Sequence, residues 1–179
     1  VEMPSYKLTY FDIRGLAEVA RQLLFLADQS YESSPHDPSA TPFGLLPVLE
    51  VDGKQLPQSF AIARFLARQH GFAGKDDFEA AWVDALGDQF KDYFPDIRPH
   101  LGVVMSPVNN HLKEASRPAA EAARLKIYPF LEKQLAETKS GFLVGDGLTW
   151  IDLFVADHVD VLVGLIPGFL DEYPKVPRV

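Results

Sequence analysis

The chain has 179 residues and no cysteine, and its formal net charge is −8, with 47% hydrophobic and 23% charged residues. This composition can build a hydrophobic core, and it excludes disulfide scaffolds, thiol nucleophiles and cysteine-bound metals. The acidic balance argues against nucleic acid or an anionic membrane surface as a partner. No apolar run reaches membrane-spanning length and no secretory leader is visible, so we expect a cytoplasmic protein.

The first third of the sequence predicts a small mixed α/β domain. Alternation in "SYKLTY" predicts a strand over Ser5–Tyr10, and apolar residues at helical spacing predict a helix over Gly15–Asp28. A polar stretch follows, with a short strand possible at its start. Asp52-Gly53 is a hairpin signal between two further strands. The predicted order is β-α-β-β-β-α, a small sheet with helices packed on it.

A polar pair opens the helix that follows the hairpin. Ser59 stands where an N-cap is expected, and the helix is predicted to run to about Gly71. The first backbone N–H groups of a helix lack intrahelical acceptors, so Gln58 and Ser59 are predicted to border a cradle for a small anion. Taken as a bare pattern, Ser59 is only a helix cap, and the two roles are compatible.

The remainder of the chain predicts helices only. "HGFAGKDD" breaks the pattern and suits a linker, and helices are predicted from near Asp77 and over about Ala119–Thr138. A third helix begins at "TWIDL", where Thr149 and Asp152 have capping-box spacing. The predicted fold class is therefore α/β followed by all-α.

Three motifs, in order along nearly the whole chain, resemble glutathione transferases. "YKLTYFDIRG" resembles the first strand and turn of the sigma class, "LPVLEVDGKQLPQSFAIARFLA" its glutathione-binding half, and "GFLVGDGLTWIDL" the helix-capping signature of the second domain. The resemblance is strongest to nematode sigma-type, also called nu-type, enzymes. It implies a thioredoxin-like glutathione-binding domain over 1–73 and a helical electrophile-binding domain over 78–179. It also implies a homodimeric detoxifying enzyme with glutathione as co-substrate.

The resemblance assigns glutathione contacts residue by residue. Tyr10 would donate a hydrogen bond to the glutathione sulfur, which lowers the pKa of the thiol and enriches the nucleophilic thiolate. Residue type alone would make Tyr10 an ordinary strand aromatic. Leu46-Pro47 would be a cis bond that lets the Leu46 backbone pair with the cysteinyl backbone of glutathione, whereas the sequence alone allows a plain trans turn. The implied glutathione-binding set is Tyr10, Phe11, Arg14, Gly44, Leu45, Leu46, Pro47, Gln58, Ser59 and Asp92.

The charged ends of glutathione would be held at the rest of this set. Gln58 and Ser59 would bind the γ-glutamyl end, with its carboxylate at the helix N-terminus. Arg14 would either lie near the thiolate or tie its turn to a nearby acid. Asp92 would cross a dimer interface to reach the α-amino group of the glutathione bound by the partner.

Further candidates lie on the first helix of the second domain. Phe94, Pro95, Arg98 and Leu101 are predicted to line the electrophile pocket. Acids recur there every fourth residue, as expected for a solvated helix face. Some sigma-type relatives bind a divalent cation with such acids, but Lys91 replaces one aspartate of that pattern, so no metal is expected. The acids are Asp84, Asp88, Asp92 and Asp96.

The sequence departs from the class in two places. Between Tyr31 and Pro42 the class has a longer segment with a tryptophan and a lysine that grip the glycyl end of glutathione, and neither is here. Relatives also continue past the position of Val179 with a further helix or two. We expect omitted residues in both places; true deletions would predict weak glutathione binding.

Three alternatives stay open. A glutathione-dependent prostaglandin D isomerase would use the same thiolate with a different pocket. A carrier would bind haem or another flat apolar ligand on the same fold. An idle structural relative is the third, and retention of Tyr10, Gln58 and Ser59 argues against it.

Overall fold

The chain divides into two compact units between Ala73 and Gly74. The computed structural model describes residues 4–34 and 41–176. The elements of the first unit, in chain order, are β1 (Tyr6–Thr9), a 3₁₀ turn (Gly15–Ala17), α1 (Glu18–Leu26), β2 (Tyr31–Ser34), β3 (Val48–Val51), β4 (Lys54–Pro57) and α2 (Ser59–His70). The predicted β-α-β-β-β-α order is confirmed, including the short strand at Tyr31. The predicted shortening between Tyr31 and Pro42 falls largely on residues outside the described ranges.

The sheet of the first unit is mixed, with strand order β2-β1-β3-β4. β1 runs parallel to β2 and antiparallel to β3, and β3 runs antiparallel to β4. Val48, the first residue of β3, pairs with both Thr9 and Pro57, the last residues of β1 and β4. The segments that follow Thr9, precede Val48 and follow Pro57 therefore leave the sheet at the same end of these three strands. This end is called the sheet edge below.

Apolar side chains from the sheet and two helices form the core of the first unit. α1 and α2 pack against each other, and the helical spacing of their apolar residues puts one face of each inward. Each large side chain in this core contributes about 1.5–3 kcal/mol by leaving water. The core includes Leu8, Leu23, Leu24, Leu49, Ile62 and Leu66, each at most 2% exposed.

The second unit contains helices and no strand among its described residues. In chain order they are α3 (Asp77–Val104), a 3₁₀ segment (Pro107–Leu112), α4 (Lys113–Arg124), α5 (Tyr128–Glu137) and α6 (Trp150–Leu165). α3 packs against both α4 and α6. Gly87, within α3, allows this packing, because a Cβ there would lie 2.2 Å from the Trp150 ring. Among the described residues, we find no helix long and apolar enough to cross a membrane.

The single helix predicted over Ala119–Thr138 is wrong, because the chain breaks between α4 and α5. The N–H groups of Lys126 and Ile127 bond to carbonyls three residues back, which closes the end of α4. Pro129, near the start of α5, has no N–H with which to continue an α-helical ladder. The interruption thus follows from proline chemistry that the apolar periodicity did not reveal.

The predicted capping box at the start of α6 is confirmed. Asp152 accepts the Thr149 backbone N–H at 2.8 Å and the Thr149 hydroxyl at 2.6 Å. Its second carboxylate oxygen accepts the Leu143 N–H at 2.8 Å. Asp152 is 2% exposed, and this burial raises the pKa of its carboxyl above the ordinary value. The same carboxylate therefore starts α6 and fixes the loop before it.

A histidine is buried among aromatic rings in the second unit. The His158 ring lies edge-on to Phe90, Tyr93 and Phe94, with centroids 5.1–6.0 Å apart. Its Nε2 lies 3.3 Å from the Tyr93 hydroxyl. Burial lowers the pKa of His158 to about 4. The imidazole is therefore neutral in the folded state, where it acts as a core residue.

This burial predicts a specific acid instability. Between pH 6.5 and about 4, the unfolded imidazole binds a proton that the folded one excludes, so the free energy of unfolding falls as the pH falls. The full loss is about 3 kcal/mol. Chemical denaturation of wild type and His158→Gln across this range measures it, and the variant should show a flatter profile. Exposed His111 provides the matched control His111→Gln, and equal slopes in all three proteins would contradict this account.

Candidate active site

The register of the sheet brings three of the predicted site segments to one edge. Tyr10 follows Thr9 at the end of β1, Leu46-Pro47 leads into Val48 of β3, and Gln58-Ser59 follows Pro57 of β4. The Leu46-Pro47 peptide bond is cis, as the resemblance implied. Pairing between distant parts of the sequence therefore gathers segments that are separated by up to almost fifty residues along the chain.

The Tyr10 hydroxyl is held by a backbone donor. The Leu16 N–H donates to the Tyr10 oxygen at 3.0 Å, and the Tyr10 side chain is half-buried. This contact uses a lone pair and leaves the hydroxyl proton available for another acceptor. Gly15 permits the arrangement, because its φ is +48° and a Cβ there would lie 2.6 Å from the hydroxyl oxygen.

The turn after Tyr10 is exposed, and a side chain of α1 holds its backbone in place. Phe11 is 46% exposed, and its ring lies edge-on to the Tyr10 ring at 5.4 Å. The Arg14 side chain is exposed, and its backbone carbonyl accepts a bond from Arg21 at 3.2 Å. Arg21 is not among the site residues predicted from the sequence, and it also donates to the Ile13 carbonyl at 2.7 Å. The i,i+3 pair that Arg21 makes with Glu18 is the one contact that its spacing could have suggested.

The segment before β3 presents backbone at the sheet edge. Pro47 is buried, Leu46 is half-buried and Leu45 is 60% exposed. Gly44 has φ +65° and its N–H bonds back to Thr41 at 3.4 Å. Since the β3 ladder begins at Val48, the Leu46 backbone lies just beyond the last ladder pair, where an added extended chain would continue the pairing.

The start of α2 differs from the prediction by one residue. The N-cap predicted at Ser59 is wrong: Gln58 is the cap and Ser59 is the first helical residue. Pro57 still pairs with Val48 in the sheet, so a single residue must turn the chain from strand to helix. Gln58 does so at φ 76°, a strained conformation for a residue other than glycine. Ser59 therefore belongs to the first turn of α2, whose N–H groups lie at the positive end of the helix dipole.

The remaining predicted residues lie on α3 in the second unit. Phe94, Arg98 and Leu101 follow i, i+4, i+7 spacing and so share one face of the helix. Phe94 also packs edge-on to Phe154 at 5.6 Å and is half-buried. Pro95 and Asp92 are exposed.

The acidic stripe on α3 shows no sign of a built cation site. Asp96 pairs with the ammonium of Lys126, which uses one of its four carboxylates. Within residues 4–34 and 41–176, no three metal-ligating side chains gather closely enough to hold an ion. Asp88 and Asp92 are exposed, whereas Asp84 and Asp96 are half-buried.

Comparison with known proteins gives relatives over almost the whole chain. A probable glutathione S-transferase 6 of Caenorhabditis elegans is 44% identical, over 97% of this chain and 88% of that protein. The solved nu-class transferase of Haemonchus contortus is 45% identical, with a TM-score of 0.86 over 97% of this chain and 88% of its own. Monomeric Na-GST-3 of the hookworm Necator americanus is 47% identical, with a TM-score of 0.89 over the same shares.

A more distant solved structure carries a different activity in its name. The prostaglandin synthase D of Nilaparvata lugens is 28% identical, with a TM-score of 0.80 over 96% of this chain and 88% of its own.

The family models match both units. The one described as "Glutathione S-transferase, N-terminal domain" matches residues 6–68, and the one described as "Glutathione S-transferase, C-terminal domain" matches residues 81–179. The thioredoxin-like sheet with its packed helices, the helical second unit and these matches agree. The chain belongs to the glutathione S-transferase family.

Proposed function

We propose that this protein conjugates glutathione to hydrophobic electrophiles, with the Tyr10 hydroxyl stabilising the glutathione thiolate. The observation that carries the proposal is the bond from the Leu16 N–H to the Tyr10 oxygen at 3.0 Å. This bond orients the hydroxyl and leaves its proton to donate to an anion at the sheet edge. The transferases named among the relatives support the reaction class.

The binding mode follows from the chemistry of the three edge segments. The Leu46 backbone would pair with the cysteinyl backbone of glutathione, which places the thiol toward the end of β1 and Tyr10. Ser59 and the first N–H groups of α2 would receive the γ-glutamyl carboxylate, since donors and dipole both favour an anion there. Gln58, Gly44 and Leu45 would complete the wall, with Phe11 and Arg14 on the turn after Tyr10. Glutathione is thereby fixed by its backbone and one terminal charge.

The reaction is then nucleophilic attack by sulfur. The thiol loses its proton to solvent, and the Tyr10 hydroxyl donates a hydrogen bond to the resulting thiolate without giving up its own proton. A carbon–sulfur bond forms at the electrophilic carbon, and the electron pair leaves with a halide or moves onto a conjugated carbonyl. Metal or redox chemistry is not needed for this step.

The second substrate would bind at the shared face of α3. Phe94 and Leu101 supply apolar surface, and Arg98 supplies a cation for an electron-rich leaving group or carbonyl, with Pro95 beside them. We assign a detoxifying role and the nematode sigma-type, or nu-type, class on the resemblance of the three sequence motifs. The nu-class relative from Haemonchus contortus supports this class.

A second candidate is prostaglandin isomerisation, which the structural likeness to a prostaglandin synthase favours. The same thiolate would attack one endoperoxide oxygen, forming a sulfur–oxygen bond as the oxygen–oxygen bond breaks, and the second oxygen would take up a proton to become a hydroxyl. Loss of the proton on the carbon that bears the attacked oxygen would then form the carbonyl, break the sulfur–oxygen bond and release the thiolate. Incubation with a prostaglandin endoperoxide and with a chromogenic electrophile, followed by mass spectrometry of products, separates the two activities. Rapid isomerisation with negligible conjugation would replace the first proposal with the second.

Replacing Tyr10 with phenylalanine tests the proposed thiolate donor. Tyr10→Phe should lower kcat/KM for conjugation by about 10²–10³-fold, as expected for loss of a donor to a developing anion. The acid limb of the pH profile of its kcat/KM should move to higher pH, with little change in glutathione affinity. Tyr31→Phe, which removes a hydroxyl elsewhere on the sheet, is the control. Equal rates in wild type and Tyr10→Phe would contradict the assignment, and haemin binding without any conjugation would favour a carrier.

Changing Ser59 tests the anion cradle. Ser59→Ala should weaken glutathione binding by roughly tenfold, because it removes a bond to a charged group, whereas Ser59→Thr should retain most of the affinity. Calorimetry with glutathione and with cysteinylglycine, which lacks the γ-glutamyl group, provides an internal control. The variant should lose affinity for glutathione only; equal losses for both ligands would contradict the assignment.

Changing Asp92 tests the cross-subunit contact and, with it, the proposal that the protein is a homodimer. A hookworm relative is described as monomeric, so the oligomeric state is measured as well. In a dimer, Asp92→Ala should raise the glutathione Kd roughly fivefold to tenfold by removing an ionic partner of the α-amino group. Asp88→Ala, one turn earlier and also exposed, is the matched control. Sedimentation fixes the oligomeric state, and a monomer or an unchanged Kd would contradict the assignment.

A further inference from the structure

We propose that Arg21 is a positioning residue that fixes the turn between Tyr10 and α1 and so keeps the Tyr10 hydroxyl aimed at the thiolate. The proposal rests on the proposed function for its catalytic consequence. Arg21 lies on the second turn of α1 and its side chain is 23% exposed. It contacts backbone carbonyls of the turn and the ring of Tyr10.

Arg21 binds three backbone carbonyls of the turn at once. Its Nη1 donates to the Ile13 carbonyl at 2.7 Å and the Arg14 carbonyl at 3.2 Å, and its Nη2 donates to the Phe11 carbonyl at 3.0 Å. The planar fork of a guanidinium can hold carbonyls on two nitrogens in fixed geometry. A lysine ammonium has its donors on one nitrogen and cannot reproduce this span.

The turn that Arg21 holds leads directly to the donor on Tyr10. The fixed carbonyls belong to residues 11–14, and Gly15 and Leu16 follow immediately. The Leu16 N–H reaches the Tyr10 oxygen with Gly15 at φ +48°, where a Cβ on Gly15 would lie 2.6 Å from the hydroxyl oxygen. A loosened turn would lengthen this bond and free the hydroxyl to rotate, and a displacement of about 1 Å in a catalytic group costs on the order of 10²-fold in rate.

The same arginine brings positive charge to the Tyr10 ring. Its guanidinium carbon lies 5.8 Å from the ring centroid, within the range of a cation–π contact. Glu18 balances this charge at 3.2 Å and is itself only 21% exposed. The geometric and electrostatic roles are therefore separable, because Arg21→Lys keeps the charge without the fork, and Glu18→Gln keeps the fork without the counter-charge.

The test compares Arg21→Ala, Arg21→Lys and Glu18→Gln with wild type. Arg124→Ala is the control for lost stability, since Arg124 also donates to a backbone carbonyl, that of Phe169 at 2.7 Å, in the second unit. Four quantities are measured on each protein: amide hydrogen exchange at Leu16, the pH dependence of thiolate absorbance from bound glutathione, kcat/KM for conjugation, and the glutathione Kd. Denaturation checks that each variant is folded at the temperature used.

The expected result depends on the planar guanidinium fork of Arg21 and not on its charge. Arg21→Ala and Arg21→Lys should exchange the Leu16 amide at least about tenfold faster, titrate the bound thiol at higher pH, and lose about tenfold or more in kcat/KM with little change in glutathione Kd. Glu18→Gln and Arg124→Ala should match wild type in the exchange rate. Unchanged Leu16 exchange in both Arg21 variants would overturn the proposal.

The two proposals fail in distinguishable ways. If wild type does not ionise glutathione, the proposed function fails, and the Leu16 exchange still decides whether Arg21 fixes the turn. If wild type ionises glutathione and Arg21→Lys titrates it identically, the thiolate mechanism stands and the positioning role of Arg21 is overturned.

Discussion

The pairing of Val48 with Thr9 on one side and Pro57 on the other is the constraint on which the site depends. Because β1 and β4 both run antiparallel to β3, the residues that leave β1 and β4 emerge beside the residues that enter β3. Tyr10, the cis Leu46-Pro47 bond and the N-terminus of α2 therefore meet at one edge. Each supplies a different chemistry there: a hydroxyl donor, the backbone just before the first ladder pair of β3, and a helix dipole. A slip of the register by one residue would turn every side chain of the slipped strand to the other face and separate these groups.

Two residues at this edge have backbone conformations that their neighbours impose. Gln58 adopts φ 76° because one residue must convert strand into helix, and Gly15 must lack a side chain because a Cβ there would lie 2.6 Å from the Tyr10 hydroxyl oxygen. Such features persist only where the surrounding structure fixes them. The buried core beneath the sheet provides that support, and Arg21 fixes the turn from the side of α1. Rigidity of this kind favours catalysis by orientation, in which donors are already in place when the thiolate forms.

Local signals could be predicted from the sequence, and tertiary contacts could not. Asp52-Gly53 specified the hairpin and Thr149 with Asp152 specified the start of α6, because turn and capping chemistry act within a few residues. The α4–α5 break was missed because apolar periodicity continues across it, although Pro129 carried a signal. The position of Gln58 depended on how far Pro57 stays paired, which only the sheet decides. The three bonds from Arg21 to carbonyls 7–10 residues away have no sequence pattern. The roles of the site residues were given by the resemblance to a family, and the structure adds the geometry in which they can act.

The most direct test of this account is an ultraviolet difference titration of glutathione bound to the wild-type protein. A free cysteine thiol ionises near pH 8.5. The account predicts that the bound thiol ionises at distinctly lower pH, so that thiolate absorbance is already present near neutrality and disappears when the ligand is replaced by its S-methyl derivative. Saturable binding of glutathione with a thiol that titrates like the free one would contradict the central claim, because the sheet edge would then hold the tripeptide without activating it.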